Sequence, residues 1–404
     1  MGINQGGRYF WFAKYLKKNG YEPIIICANT FHNSKEFIDT KNKKYFIKEY
    51  NDIPFVFVKT ITALKNDFRR IINMILFYLN IFPVAKKIVK IYGNPDYILG
   101  GGPHQLNMLA AVKLGKKYHA ASICDIQDLW PEAIFYYGYL KENSLLGKYL
   151  IHLEKTIYEK ADAIIHTKEG DVDYIIEKKW DIDNDGKIDL KKVFYINIGV
   201  DLDEFEKLKD NNVIEDEDLS SDNFKIMYLG AIRPLNNVDK LVETANLLKE
   251  YSDIMFLIYG EGNQRESLEK KVRDLKLNNI TFKGLVNKQF IPYILSKSSL
   301  NILNYSQTQW NWARGNSSNK LFEYMASGKP ILSTVKIGYS IIDKYKCGFE
   351  IENASAEDLA KSILQIKNMQ KKEYITFCQN ACDGAKDFDV KIMTTKLINV
   401  LNGV

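Results

Sequence analysis

The 404-residue sequence has little cysteine, and none of it in CxxC pairs. Cys27, Cys124, Cys347, Cys378 and Cys382 are odd in number and scattered, three of them inside apolar runs (IIIC, SICDI, ITFCQN). That pattern excludes a disulfide framework and a cysteine zinc site, and it predicts reduced, mostly buried thiols in a cytoplasmic protein. Charge of one sign is also scarce. A net charge of +6 over this length is too mild for a dedicated nucleic-acid binder, although it suits an anionic membrane surface or an anionic substrate. Long apolar runs are absent: the longest, residues 71–83, falls short of the roughly 20 residues that span a bilayer. The opening MGINQGGRYF has neither a basic n-region nor an apolar h-region of a signal peptide. Gly6 stands where a myristoylation signal carries Ser or Thr.

What the chain does have is apolar material. A hydrophobic fraction of 46% against 26% charged residues excludes disorder and suffices for two cores. Short β-rich runs alternate with helical patterns in two series. The first comprises residues 23–28, 55–59, 97–100, 120–126, 163–166 and 193–197. The second comprises 224–229, 254–259, 280–283, 300–304, 330–333 and 348–351. Continuous rather than alternating apolar runs mark strands buried on both faces, hence parallel sheets covered by helices. The acidic stretch 201–222 between the series reads as a boundary and linker. The prediction is two Rossmann-like domains, residues 1–200 and 201–388, with a terminal helix at 389–404 packing back on the first. Ligands of such sheets bind at the carboxyl ends of the strands. A first helix carries Tyr9, Phe12, Ala13 and Leu16 at helical spacing behind the pair Gly6-Gly7. Such a loop should follow a strand, and only MGINQ precedes it, so an upstream extension of about 10–20 residues bearing an apolar strand is expected.

Residues 315–330 read GNSSNKLFEYMASGKP. This segment resembles the donor site of family-4 retaining glycosyltransferases of the GT-B fold. It is most similar to the subgroup that transfers fucosamine-like amino sugars in O-antigen and capsule assembly. DLWPE (128–132), IIHT (164–167), YINIGVDLDEF (195–205), the loop 230–239 and YGEG (259–262) resemble further family segments, in the expected order. The resemblance implies two Rossmann-like domains facing an inter-domain cleft, with a UDP-sugar as donor.

Under that resemblance Glu323 is the candidate for the ribose hydroxyls, since an ionised carboxylate accepts two hydrogen bonds. Lys320 and the amides of Asn316, Ser317, Asn319 and Leu321 are candidates for the diphosphate, at a helix start that favours anions. The family's commoner form has two glutamates eight residues apart. Gly315 occupies the earlier position here, so no role is carried over to it. The commoner form also places two cations in the first loop of the second domain, where Ala231 and Asn236 stand. Arg233, two residues on from Ala231, is suited to the same phosphates, with Asn236 beside them. Gly260 and Gly262 permit a tight turn near the nucleotide. In the first domain Gly6, Gly7 and Arg8 are candidates for approaching the diphosphate. Asp128 is a candidate for a sugar or acceptor hydroxyl or for base chemistry, and His104 follows a strand end in GGPHQ.

Two other stretches stand out. Residues 181–189 (DIDNDGKID) are similar to a calcium loop, but Lys192 stands where bidentate Glu is needed, so the reading is a polar turn. Residues 68–82 (FRRIINMILFYLNIF), flanked by Arg69, Arg70, Lys86, Lys87 and Lys90, suit an interfacial helix on anionic lipid or a core helix.

The expected activity is transfer, with retention, of an N-acetylated hexosamine or deoxyamino sugar from a UDP-sugar. The expected acceptor is a polyprenyl-diphosphate-linked glycan at the inner face of the cytoplasmic membrane. No cofactor, metal or nucleic acid is expected. The rivals are a UDP-sugar epimerase of the same fold and an inactive nucleotide-sugar-binding relative.

Overall fold

Both series of apolar runs form parallel strands, seen in a computed structural model that describes residues 7–65, 67–102, 104–306 and 312–404. Gly6 lies outside the described residues. The chain divides into two units, Met1–Asn197 with Met393–Val404, and Ile198–Ile392.

The first unit begins with helix α1 (Arg8–Lys18) and strand β1 (Ile25–Ala28). The hairpin β2 (Tyr45–Tyr50) and β3 (Ile53–Val58) follows. Then come α2 (Phe68–Tyr92), β4 (Tyr97–Gly101), α3 (Gln105–Tyr118) and β5 (Ala121–Ile126). The short helix α4 (Glu132–Tyr136), α5 (Leu145–Lys160), β6 (Ala163–His166), α6 (Asp171–Glu177) and β7 (Val193–Tyr195) complete it. Its strands form two sheets, β1-β3-β2 and β4-β5-β6-β7. All pairs are parallel except β2 with β3. Strand β2 escapes a search for apolar runs because it is a half-exposed edge. The hairpin turn is legible in Asn51 and Asp52, both at positive φ as a tight two-residue turn requires.

The second unit opens on α7 (Leu202–Asn211) and α8 (Glu217–Ser220). The acidic stretch expected to be a linker is therefore largely helical. Asp201 and Asp216 cap these helices, and Phe205 and Leu219 bury one residue of each. Next come β8 (Phe224–Leu229), α9 (Val238–Leu247), β9 (Ile254–Tyr259), α10 (Arg265–Asp274) and β10 (Ile280–Gly284). They are followed by α11 (Ile291–Ser296), β11 (Leu300–Leu303), α12 (Asn319–Ala326), β12 (Ile331–Ser333), α13 (Ile341–Tyr345) and β13 (Gly348–Glu350). The chain ends on α14 (Ala356–Lys367), α15 (Lys371–Asp387) and α16 (Val390–Asn402). The sheet order β10-β9-β8-β11-β12-β13 is the doubly wound order, and its direction of winding reverses between β8 and β11.

The apolar stretch 71–83 is one part of the 25-residue helix α2, which runs on past Pro83. By length and composition α2 could cross a membrane, with 28% of its most apolar window buried. Its carboxyl half packs Ile81, Val84, Ala85 and Ile88 onto Val56 and Val58 of β3. Phe68, Ile71, Ile75 and Leu79 are exposed, and their spacing aligns them along one face.

Candidate functional site

In a doubly wound sheet the loops at the switch point diverge and leave a crevice at the strands' carboxyl ends. In the second unit that place is held by Tyr228 near the end of β8, Tyr305 just past β11, and Lys320 in the first turn of α12. The Lys320 Nζ lies 5.0 Å from the Tyr228 ring centroid and 4.6 Å from that of Tyr305. It is sealed from solvent and meets no hydrogen-bond acceptor among the described residues. Burial lowers its pKa to about 8, although Glu323 one turn on pulls it up. The surrounding hydroxyls are already engaged. Tyr228 donates to Ala231 O at 2.9 Å, and Tyr305 meets Ser318 Oγ at 2.9 Å. Tyr324 Oη accepts from the Leu229 amide at 3.0 Å. A buried cation normally has a paired anion. Here ring faces attract it, but no described residue supplies a counter-charge at hydrogen-bond distance.

Glu323 is half-buried on α12, and burial raises its pKa to about 7 against the pull of Lys288 and Lys320. Asn316 is buried and turns its Oδ1 onto the Ser318 amide at 2.7 Å, which shapes the entry to α12. Ser317 is half-buried, Asn319 is exposed as the first residue of α12, and Leu321 is buried in the core.

The glycines of the neighbouring turn answer to close backbone contact. A β-carbon on Gly260 would lie 1.9 Å from Gly230 O, and one on Gly262 would lie 2.0 Å from Ile232 O. The amides of Gly230 and Ile232 donate to Tyr259 O and Glu261 O, both at 2.9 Å. The YGEG turn thus braces the loop after β8, whose Gly230 lies against the Lys320 side chain. Arg233 is exposed in that loop, and Asn236 offers its carbonyl to Asn304 Nδ2 at 2.6 Å.

The first unit gathers a second set of groups. Arg8 does not present a free guanidinium to phosphate, as its place behind Gly7 suggests. Its Nε and Nη2 grip the fully buried Asp125 at 2.9 and 2.7 Å, and its Nη1 donates to Asn197 O at 2.6 Å. Gly7 is exposed at φ 109, where a side chain would be strained. Asp128 is exposed and lies 3.4 Å from the buried Lys168 Nζ. His104 is buried ahead of α3, and burial alone lowers its pKa to about 4, so it is neutral at pH 7. Its Nδ1 has no partner among the described residues.

Asp181 takes both hydrogen bonds of Asn184 Nδ2, and Asp189 caps Lys191, so these two carboxylates serve their own turns. Sequence reasoning passed over Asp125, Lys168, Tyr228 and Tyr305. Asp125 stands in the apolar run SICDI, where a buried charge demands a partner. The two tyrosines carry no local signal, because only the sheet order brings them together.

The chain is similar in sequence and fold to known proteins. Residues 210–381 match the family described as glycosyl transferases group 1. One curated relative is a poly(ribitol-phosphate) alpha-N-acetylglucosaminyltransferase of Staphylococcus aureus (strain COL), 30% identical over 145 residues. That alignment spans 35% of this chain and 28% of the relative. Among solved structures, one from E. coli described as trehalose-6-phosphate bound with UDP-2-fluoro glucose superposes with a TM-score of 0.71. It is 11% identical over 100% of this chain and 97% of the other. Anabaena HepE in complex with UDP superposes at 0.61, with 15% identity over 80% of this chain and 82% of that one. The family match is thus confined to residues 210–381, and the chain has the GT-B fold.

Proposed function

We propose that the protein transfers a sugar from a UDP-sugar to an acceptor of the cell-envelope glycan class. The observation that carries this reading is the sealed, acceptor-free Lys320 ammonium at the switch point of a glycosyltransferase group 1 domain. A diphosphate is the ligand that supplies its missing counter-charge. In this scheme Lys320, Arg233 and the first-turn amides of α12 neutralise the diphosphate as it leaves, and no metal is required. Glu323 takes the ribose; in the first unit Asp128, 3.4 Å from Lys168 Nζ, is the candidate for a sugar or acceptor hydroxyl or for base chemistry. The S. aureus relative's name, an alpha-N-acetylglucosaminyltransferase, supports an N-acetylated hexosamine as the transferred sugar. A deoxyamino sugar fits the resemblance of residues 315–330 equally. The reading is tested by incubating the protein with a panel of UDP-sugars, with and without polyprenyl-diphosphate glycans, and weighing the products. Glycosylated acceptor is expected; isomerised donor in the absence of acceptor would instead identify an epimerase.

The role of Glu323 has its own check. Glu323→Ala is expected to weaken UDP binding tenfold to a hundredfold, since a hydrogen bond to a charged group contributes about 1.5–3 kcal/mol. Its melting temperature should hardly move. Calorimetry that returns the parent affinity removes Glu323 from the ribose site.

A lipid-linked acceptor would bring the protein to the membrane, and α2 is the element proposed to touch it. Its exposed Phe68, Ile71, Ile75 and Leu79 form an apolar face, and Arg69 and Arg70 stand at one end. Replacing Ile71, Ile75 and Leu79 with serine is expected to abolish flotation with anionic vesicles while leaving the melting curve in place. Unchanged flotation would exclude this face.

A further inference from the structure

The segment that follows β5 carries more aromatic surface than its fold uses. Helix α4 buries none of its residues. Tyr136, Tyr137 and Tyr139, at and just past its carboxyl end, are 45%, 48% and 77% exposed. Exposed apolar residues of a soluble domain are usually scattered singly, whereas these sit together. The local backbone explains why they stand out. The Gly138 amide donates to Phe135 O at 3.0 Å and the Tyr139 amide to Ile134 O at 3.1 Å. That pair of bonds ends a helix on a left-handed residue, and Gly138, at φ 73, supplies it. The residue after such a glycine often closes the motif by an apolar contact with the helix. Tyr139 instead stays mostly in solvent. At the root of the segment Leu129 is buried, and Trp130 O accepts from Gln105 Nε2 at 2.8 Å. Lys178 Nζ reaches Glu132 Oε1 at 2.6 Å and Glu142 Oε1 at 3.2 Å, one carboxylate on each side of the tyrosines along the chain. Backbone bonds and ion pairs thus hold the segment, and the three rings are left for a ligand.

The rings are arranged as inclined facets. Tyr136 and Tyr137 meet edge to face, with centroids 5.4 Å apart and planes at 79°. Tyr139 stands 6.4 Å from Tyr137 at 53°. Burial, and next the Asp128 carboxylate, raise the Tyr137 phenol above its ordinary pKa, so Asp128 adjoins the cluster. Ring faces beside a carboxylate match the chemistry of a sugar. Its C–H groups lie against the negative face of an aromatic ring, and its hydroxyls donate to the carboxylate. The charge balance disfavours an anionic partner. The charged residues of 128–142 are Asp128, Glu132, Lys141 and Glu142, and the lysines paired with them are Lys168 and Lys178. Three carboxylates against three ammonium groups leave no excess positive charge for anionic lipid.

We propose that Tyr136, Tyr137 and Tyr139 form a stacking platform for a neutral glycan of two or more sugar rings, carried by the acceptor. Ring faces turned 79° and 53° from one another cannot all lie on one flat sugar, so a single monosaccharide leaves part of the platform unused. Tyrosine suits the task, because its two side-chain torsions cost little entropy to fix and its ring is both apolar and tipped with a hydroxyl. The proposal rests on the transferase reading above and narrows its acceptor. That acceptor arrives with sugars already in place, so transfer of sugars onto its carrier must precede the reaction of this protein.

The test reads binding and needs no turnover. The full chain is applied to an array of neutral glycans, from single hexosamines to hexasaccharides, and separately to phosphatidylglycerol vesicles. The parent protein is expected to bind neutral glycans of two or more sugars in preference to single sugars. The double variant Tyr137→Ala with Tyr139→Ala is expected to weaken that binding by about tenfold or more, with UDP affinity and the melting curve unchanged. Tyr137→Phe with Tyr139→Phe should keep most of the binding, because stacking uses the ring and not the hydroxyl. If the double alanine variant melts lower than the parent, Tyr139→Ala alone, at the most exposed ring, must still weaken glycan binding. An array on which no neutral glycan is bound, single sugars bound as well as longer ones, or equal binding by the alanine variant overturns the proposal. An alanine variant that keeps glycan binding but no longer floats with the vesicles also overturns it, by assigning the rings to lipid. The transferase reading fails separately, by absence of UDP binding in the parent protein, while the array still reports on the tyrosines.

Discussion

Lys320→Met is expected to lower kcat/KM for the donor by a factor of about 10² to 10³, the size of effect seen when one preorganised donor to a developing anion is removed. Methionine keeps the length and packing of the stem between Tyr228 and Tyr305 and removes only the charge. UDP binding should weaken strongly and uridine binding little, because the contact is with phosphate. Equal losses for both ligands would mean that the lysine supports the loop after β8 and not the ligand. The pH profile adds an independent readout. The Lys320 pKa of about 8 means that the free enzyme loses this cation as pH rises through 8. Glu323, at about 7, becomes an acceptor as pH rises through 7. The kcat/KM profile should therefore be a narrow bell with limbs near these values. Lys320→Arg should erase the alkaline limb, since guanidinium stays protonated. An alkaline limb unchanged in the arginine variant would assign it to another group.

Asp125→Asn is expected to destabilise the first unit by about 3–5 kcal/mol, because it leaves the buried Arg8 guanidinium without its counter-charge. That corresponds to a fall of roughly 10 °C or more in melting temperature. Arg8 and Asp125 are 6% and 0% exposed, so water cannot replace the lost partner. The double variant Arg8→Met with Asp125→Leu should recover most of the loss, since neither charge is then buried alone. A double variant no better than the single one would show that Asn197 and the α1 contacts, not the ion pair, set the stability. The same pair explains why the sequence position of Arg8 misleads. Next to a glycine turn an arginine reads as a phosphate ligand, and only the approach of β5 reveals where its fork is spent.

The strands were legible because their physics is local: a segment buried on both faces must be apolar along its whole length. Residues 163–166, 224–229 and 254–259 form β6, β8 and β9 over the bounds read from composition. Strand β2 was not legible, because an edge strand half in water carries no such run. The stretch 201–222 misled because acidic residues serve a linker and a helix amino terminus equally.

The candidate site divides along the same line. Residues 315–330 carry a dense local pattern, so Lys320 and Glu323 could be singled out from the sequence. The residues that change the meaning of Lys320 could not. Tyr228 and Tyr305 are far apart in sequence and meet only because β8 and β11 are neighbours in the sheet. The sequence by itself determined the class of fold and the chemical types available, since burial, helix caps and turns act over a few residues. The tertiary structure alone decided which charges are paired and which are left open. Asp125 pairs directly with Arg8, whereas no described group meets Lys320 Nζ at hydrogen-bond distance, and burial in a low dielectric makes that difference large.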